Sequence, residues 1–198
     1  MTVAVTRSGP AFGPLRQETA ASSSDHALIR QIAAGDRGAM RRLFGRHQLP
    51  LHRWLTRLVD DPALAEDLLS EVFLDVWRQA ATFEGRSSVA TWVLAIARHK
   101  ALSARRRRRE EQLDDEFAVS IADPADDPER ALLSKDRAVQ LRAALARLPA
   151  DQREVIDLVY YHGRPVQDVA QITGAPEATI KTRMFYARRK LAQMVQAA

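Results

Sequence analysis

Apolar residues along most of this chain recur every three or four positions, the spacing of one face of an α-helix. Leu28, Ile32, Met40, Leu43 and Phe44 follow this rhythm, and so do Leu51, Trp54, Leu55 and Leu58. Gly35 and Asp36 fall within the first of these runs and predict its break into two helices. Asp61-Pro62 predicts a helix start, with Asp as N-cap and Pro at the first position, where a missing N–H costs nothing. From there Leu64, Leu68, Val72 and Val76 run at i, i+4 beside Leu69, Phe73 and Trp77, which leaves Glu66, Asp67, Glu71 and Asp75 partly outward. After a short loop at 82–87, Ser87 or Ser88 caps a further helix with Val89, Trp92, Val93 and Ile96 as its apolar stripe.

A second set of helices follows. One is expected over roughly 130–147, ended by Leu148-Pro149. Asp151 then caps a helix carrying Val155, Ile156, Leu158 and Val159, which Gly163 closes. A short helix near 166–172, a turn at Thr173-Gly174 and a longer helix near 176–194 complete the chain. No stretch alternates with the period of a strand, and no segment repeats. The fold class expected is all-α, as two small helical domains.

Charge divides the chain in the same place. Residues 27–109 hold 16 basic and 8 acidic residues, ending in the run Arg105 to Arg109, and residues 136–198 hold 10 basic and 6 acidic. Between them, 110–129 hold nine acidic residues and no basic one, with Pro124 and Pro128. Two basic helical modules joined by a flexible acidic linker (110–135) are therefore expected. Residues 1–26, rich in Gly, Pro, Ser and Ala, are expected to be a disordered tail. The net charge of +5 and isoelectric point of about 10.1 point to an anionic partner.

Composition excludes other chemistry. The absence of cysteine rules out disulfides and cysteine-containing zinc sites. The five histidines (His26, His47, His52, His99 and His162) form no metal-ligand pattern. No Gly-rich phosphate loop or nucleophile elbow is present, so neither a cofactor nor an enzymatic activity is expected. No run approaches the length of a membrane span or a signal peptide, and the expected location is the cytoplasm.

The strongest functional pattern is PVQDVAQITGAPEATIKTRMFYARRKL at 165–191. Val169 and Ile172 face a core, Ala170 lets two helices approach, and Gly174 takes the left-handed turn of a helix-turn-helix. Ile180 and Met184 point inward. Thr179, Lys181, Thr182, Arg183 and Tyr186 are left for an outer face able to enter a major groove, with Arg188, Arg189 and Lys190 near phosphates.

Here the chain resembles the sigma-70 family of RNA polymerase sigma factors, in its extracytoplasmic-function group. The segment 148–191 is similar to the family's region four, most closely at Pro176-Glu177, Thr179 to Arg183 and Ala187 to Leu191. Pro165 departs from the Ser that usually caps the first helix of this pair. The segment ALAEDLLSEVFLDVWRQAATFEGRSSVATWVLAIARHKAL at 63–102 resembles region two.

The resemblance implies a DNA-binding subunit that binds core RNA polymerase and starts transcription at particular promoters, without being an enzyme. Residues 27–109 would bind polymerase and the downstream (−10) element, and 136–195 would bind the upstream (−35) element. It implies upstream contacts from Pro176, Glu177, Thr179, Lys181, Thr182, Arg183, Tyr186, Arg188 and Arg189. Downstream contacts would come from Phe83, Arg86, Ser87, Ser88, Arg98, His99, Lys100 and Arg105. Glu66, Asp67, Leu68, Glu71, Val72 and Phe73 would dock on the clamp helices of the largest polymerase subunit, with the flap region as a further contact. Trp77 and Trp92 fit a core better than a base stack. An anti-sigma factor is the further partner implied.

Two other readings remain at this stage. One is a sigma-mimicking protein that sequesters an anti-sigma factor without binding DNA. The other is a conventional helix-turn-helix regulator, which would need an upstream receiver or ligand-binding domain.

Overall fold

The computed structural model describes residues 17–112, 141 and 143–196, with side chains over 24–110, 141 and 143–194. The described residues are helical, with no strand. The first module has four helices: α1 (Gln17–Ala33), α2 (Arg37–Val59), α3 (Pro62–Gln79) and α4 (Val89–Gln112). The second has α5 (Ala150–Ile156), α6 (Val166–Thr173) and α7 (Glu177–Gln196). A wider π-helical turn, Asp157–Tyr161, follows α5 directly.

Local chemistry sets the boundaries. The Asp36 carboxylate accepts hydrogen bonds from the Gly38 and Ala39 amides, so α2 begins where two otherwise orphaned donors are met. α2 ends at Asp60, whose left-handed backbone (φ 56°) closes a tight turn into α3. Asp61 caps α3 by accepting from Leu64 N at 3.1 Å, with Pro62 at the first position. Ser88 caps α4 by accepting from Thr91 N at 3.1 Å.

Three sequence expectations are corrected. The expected tail, 1–26, gives way to helix from Gln17, and Asp25 is buried against Arg46 (2.6 Å) and His47 (2.8 Å) of α2. The signal there is long-range, since the partners of Ser24 and Asp25 lie on α2. Asp151 is not the cap of α5: Pro149 occupies that position with no side-chain cap, and Asp151 turns to Arg183 at 3.0 Å. Third, α4 continues into the acidic block as far as Gln112. Most of the expected linker and of the 130–147 helix lies outside the described residues, as does the start of the tail; residues 143–146 are helical.

Trp54, Leu43, Leu55, Val72, Val76, Val89 and Val93 fill the centre of the first module. That core does not stop at the module boundary. Val155, Leu158, Val169, Ile172, Ile180 and Met184 of the second module belong to the same contiguous cluster. A smaller cluster of Leu148, Ile156 and Ala187, with Leu145 and Leu191 against it, ties α5 to α7. The two modules are therefore packed together, with α6 lying on α4.

Candidate nucleic-acid interface

The second module positions its last helix by the period of its apolar residues. Ile180, Met184 and Ala187 of α7 are buried, and the tight turn before it is made by Gly174 (φ 69°), whose N–H caps α6 on Ala170 O. A Cβ there would have space, so the glycine serves its backbone angle and not a close approach. Pro165 begins α6 without a side-chain cap, the consequence of its departure from Ser. With one side of α7 locked inward, Glu177, Ala178, Lys181, Thr182, Phe185, Tyr186, Arg188 and Arg189 are exposed.

These exposed residues make a basic strip open to solvent. Lys181 pairs loosely with Glu177 at 3.5 Å, Thr182 Oγ1 donates to Ala178 O, and Arg188 Nε donates to Met184 O. Of the upstream residues expected from sequence, Pro176, Glu177, Lys181, Thr182, Tyr186, Arg188 and Arg189 are exposed, and Thr179 is half-buried. Arg183 is not on the outer face as expected. It is half-buried and paired with Asp151 at 3.0 Å, because it lies one position before buried Met184 and swings toward α5. Phe185, not among the upstream contacts expected from sequence, stands out of the same strip at 58% exposure, one helical turn from Lys181. Helical spacing alone would have found it.

The downstream residues divide differently. Arg86, His99 and Arg105 are exposed, with Arg86 paired to Glu84. Phe83 packs on Trp92 (4.9 Å between ring centroids) and on His26 (5.4 Å) and is half-buried. Ser87 donates to Ser88 O, and Ser88 is used as the cap of α4. Lys100 is held between Asp75 (2.8 Å) and Glu71 (3.1 Å); its ammonium is stabilised first by the Asp75 hydrogen bond, which raises its pKa. Arg98 is engaged by the second module: its Nε and Nη2 donate to the two carboxylate oxygens of Glu154 at 2.7 and 3.2 Å.

The residues expected to dock on polymerase are also sorted by α3. Glu66, Asp67 and Glu71 are exposed, whereas Leu68, Val72 and Phe73 are buried in the core and present no outward surface. The i, i+4 rhythm that made them conspicuous is the rhythm of the inward face. The outward stripe of α3 runs through Ala63, Glu66, Asp67, Ser70 and Leu74, and Leu74 is 46% exposed.

Between the modules lies a polar seam invisible to the sequence pattern. Arg57 Nε and Nη2 donate to the Asp157 carboxylate at 2.6 and 2.7 Å, and the guanidinium lies 5.4 Å from the Tyr161 ring centroid. Thr91 Oγ1 donates to Asp168 at 2.5 Å, and Arg164 Nη1 reaches Ser88 Oγ at 3.3 Å. His162 packs edge-on to Trp54 at 5.6 Å, and its Nε2 is buried without a hydrogen-bond partner. Burial, with Arg57 and Arg164 close by, pushes the His162 imidazole down to about 4. Burial pushes the Asp157 carboxyl above its usual range, against the pull of Arg57. A cleft of about 220 Å³ runs along the seam, lined among others by His47, Leu51, Val93, Tyr161 and His162.

A helix locked on one side after a glycine turn, with a basic outer strip, joined to a second basic helical module, is the arrangement of a helix-turn-helix DNA-binding protein. Comparison with known proteins gives the family. The model for Sigma-70 region 2 matches residues 43–111, and that for Sigma-70 region 4 matches 138–191. The ECF RNA polymerase sigma factor SigK of Mycolicibacterium vanbaalenii is 32% identical over 164 residues, covering 80% of this chain and 82% of the relative. The ECF RNA polymerase sigma factor SigL of Mycobacterium tuberculosis is 30% identical over 171 residues, covering 86% of this chain and 96% of the relative. Among solved structures, the sigma factor RpoE of Bartonella quintana, in complex with the anti-sigma factor NepR, matches with a TM-score of 0.67 and 28% identity, over 79% of this chain and 96% of that one. CnrH, solved with the cytosolic domain of CnrY, shares the fold (TM-score 0.63, 22% identity, over 88% of this chain and 98% of that one). The chain belongs to the extracytoplasmic-function group of sigma-70 family sigma factors.

Proposed function

We propose that the chain binds core RNA polymerase through α3, reads an upstream (−35) element with α7 and engages a downstream (−10) element with the Phe83–Ser88 loop and α4. The observation that carries the upstream assignment is the exposed strip of Lys181, Thr182, Phe185, Tyr186 and Arg189 on a helix whose other side is locked by Ile180, Met184 and Ala187. Lys181 and Thr182 can hydrogen-bond base edges, Phe185 can meet thymine methyl groups, and Arg188 and Arg189 can hold phosphates.

For the downstream element, Arg86, His99 and Arg105 are accessible to a backbone, and Phe83 supplies an aromatic face for an unstacked base. Ser87, Ser88, Arg98 and Lys100 complete that set once their present partners are exchanged. The polymerase-docking stripe is Glu66, Asp67 and Leu74 with Glu71 at its border, an apolar anchor in an acidic rim suited to a basic helical partner. The chain supplies binding energy while polymerase performs the chemistry, and it works in the cytoplasm beside polymerase and promoter DNA. An anti-sigma factor is proposed as its regulator, since the relative RpoE is seen with NepR.

The test is run-off transcription by core polymerase with the full chain on a promoter library, comparing wild type with Lys181→Ala. Selective initiation, lost by the variant on promoters with a defined upstream element, is expected. Tight binding to core polymerase without initiation by the wild type would instead make the chain a sequestering protein.

A further inference from the structure

The outer face of α7 continues past the residues assigned to base reading. Tyr186, Arg189, Lys190 and Gln193 follow at i, i+3, i+4 and i+7, so they share one side of the helix. With Gln152 of α5 they line a groove of about 370 Å³. Small-molecule sites occupy roughly 300–1,000 Å³. The groove has firm walls, because Leu148, Ile156 and Ala187 pack α5 against α7.

Each wall suits a different part of one ligand. Arg189 and Lys190 are exposed and have no acidic partner among the described residues, and Asp151, next to Gln152, is already paired with Arg183 at 3.0 Å. Two uncompensated cations attract phosphate, the guanidinium as a fork and the ammonium as a point charge. Tyr186 offers a half-exposed ring steadied by Phe185, with centroids 5.5 Å apart and planes at 76°. Such a ring is a platform for a base. Gln152 Oε1 is buried with no hydrogen-bond partner, an acceptor in want of a donor. That acceptor separates two anionic occupants. A duplex backbone presents acceptor oxygens only and keeps its bases stacked away. A purine nucleotide carries N–H donors on its base edge together with its phosphates.

We infer that the groove between α5 and α7 is a site for a free purine nucleotide. The base stacks on Tyr186, its edge meets the amides of Gln152 and Gln193, and Arg189 and Lys190 hold the phosphates. Tyr186 and Arg189 also belong to the strip that meets the upstream element, so bound nucleotide and upstream DNA exclude one another. That consequence rests on the upstream reading of α7; the site itself does not. The nucleotide then acts as a brake on promoter recognition.

Binding is measured by titration calorimetry on the full chain without polymerase, with ATP, GTP and inorganic tripolyphosphate as probes. Tripolyphosphate supplies the anionic chain without the base. At least one of the two nucleotides should bind about ten-fold more tightly than tripolyphosphate, a difference of ~1.4 kcal/mol. Gln152→Leu should remove that preference and leave unchanged both tripolyphosphate binding and binding of a duplex selected from the promoter library. The preferred nucleotide should displace that duplex from the wild-type chain. Equal affinity for nucleotide and tripolyphosphate, or no binding at millimolar nucleotide, overturns the inference. So does a Gln152→Leu variant that weakens the duplex and not the nucleotide, since the groove would then be a seat for DNA backbone. Nucleotide binding that leaves the duplex in place would uphold the site and strike the upstream placement of Tyr186 and Arg189. Failure of the wild-type chain to bind any promoter duplex would strike the upstream reading alone, because the nucleotide titration contains no DNA.

Discussion

Acid should loosen this protein through His162. The imidazole is buried against Trp54 between Arg57 of α2 and Arg164, with His47, Tyr161 and the Asp157 carboxylate on the same seam. Its folded pKa of about 4 lies below the 6.5 of an unfolded histidine. Above pH 6.5 both states are neutral and the residue costs nothing. As pH falls below 6.5 the unfolded chain takes up the proton first, so stability is lost progressively until about pH 4. At pH 5 the loss works out at about 2 kcal/mol, and in full at about 3 kcal/mol, a large share of the ~5–15 kcal/mol typical of a domain. Asp157 opposes it, since a carboxyl whose pKa is raised on folding favours the folded state as pH falls through its range. Comparison with His162→Phe, which keeps a ring against Trp54 and cannot protonate, isolates the histidine. Urea melts at pH 7 and pH 5 should show wild type losing about 2 kcal/mol more than the variant. Parallel losses in the two proteins would refute the burial argument.

Two further outcomes follow from packing and capping. Ile180→Ala should cost about 2–5 kcal/mol in a chemical melt and release α7 from its core, abolishing upstream-element binding while binding to core polymerase persists. Asp61→Ala should cost about 1 kcal/mol through the lost cap of α3, with little added by its exposed pair to Arg108, and a smaller loss for Asp61→Asn would show that the hydrogen bond to Leu64 N carries the effect.

Much of the fold could be read from the chain because its signals are local. The breaks at Asp36, Asp61, Ser88 and Gly174 are set by hydrogen bonds and backbone angles within a few residues, and the apolar period gave the inward faces of α2, α3, α4 and α7. The outward face of α7 was legible to the same depth. Lys181, Thr182 and Tyr186 fall outward by elimination, and Phe185 would have followed from the same geometry. Contacts that span the chain were not legible. Arg98 meets Glu154 and Arg57 meets Asp157 across the whole acidic segment, and nothing in periodicity distinguishes a carboxylate on solvent from one on a distant guanidinium. Leu68, Val72 and Phe73 show the complementary limit: a pattern of apolar residues marks a face without saying whether its partner is the protein's own core or another molecule.

The shared core also governs how the molecule can be taken apart. Val155, Leu158, Val169 and Ile172 lie against the first module, so a fragment carrying the second module alone would present these side chains to water. Cleavage within 113–135 should thus leave a nicked pair that travels together through a sizing column. Two separately produced halves should find each other on mixing, which makes the chain a natural split reporter whose reassembly can be read in solution.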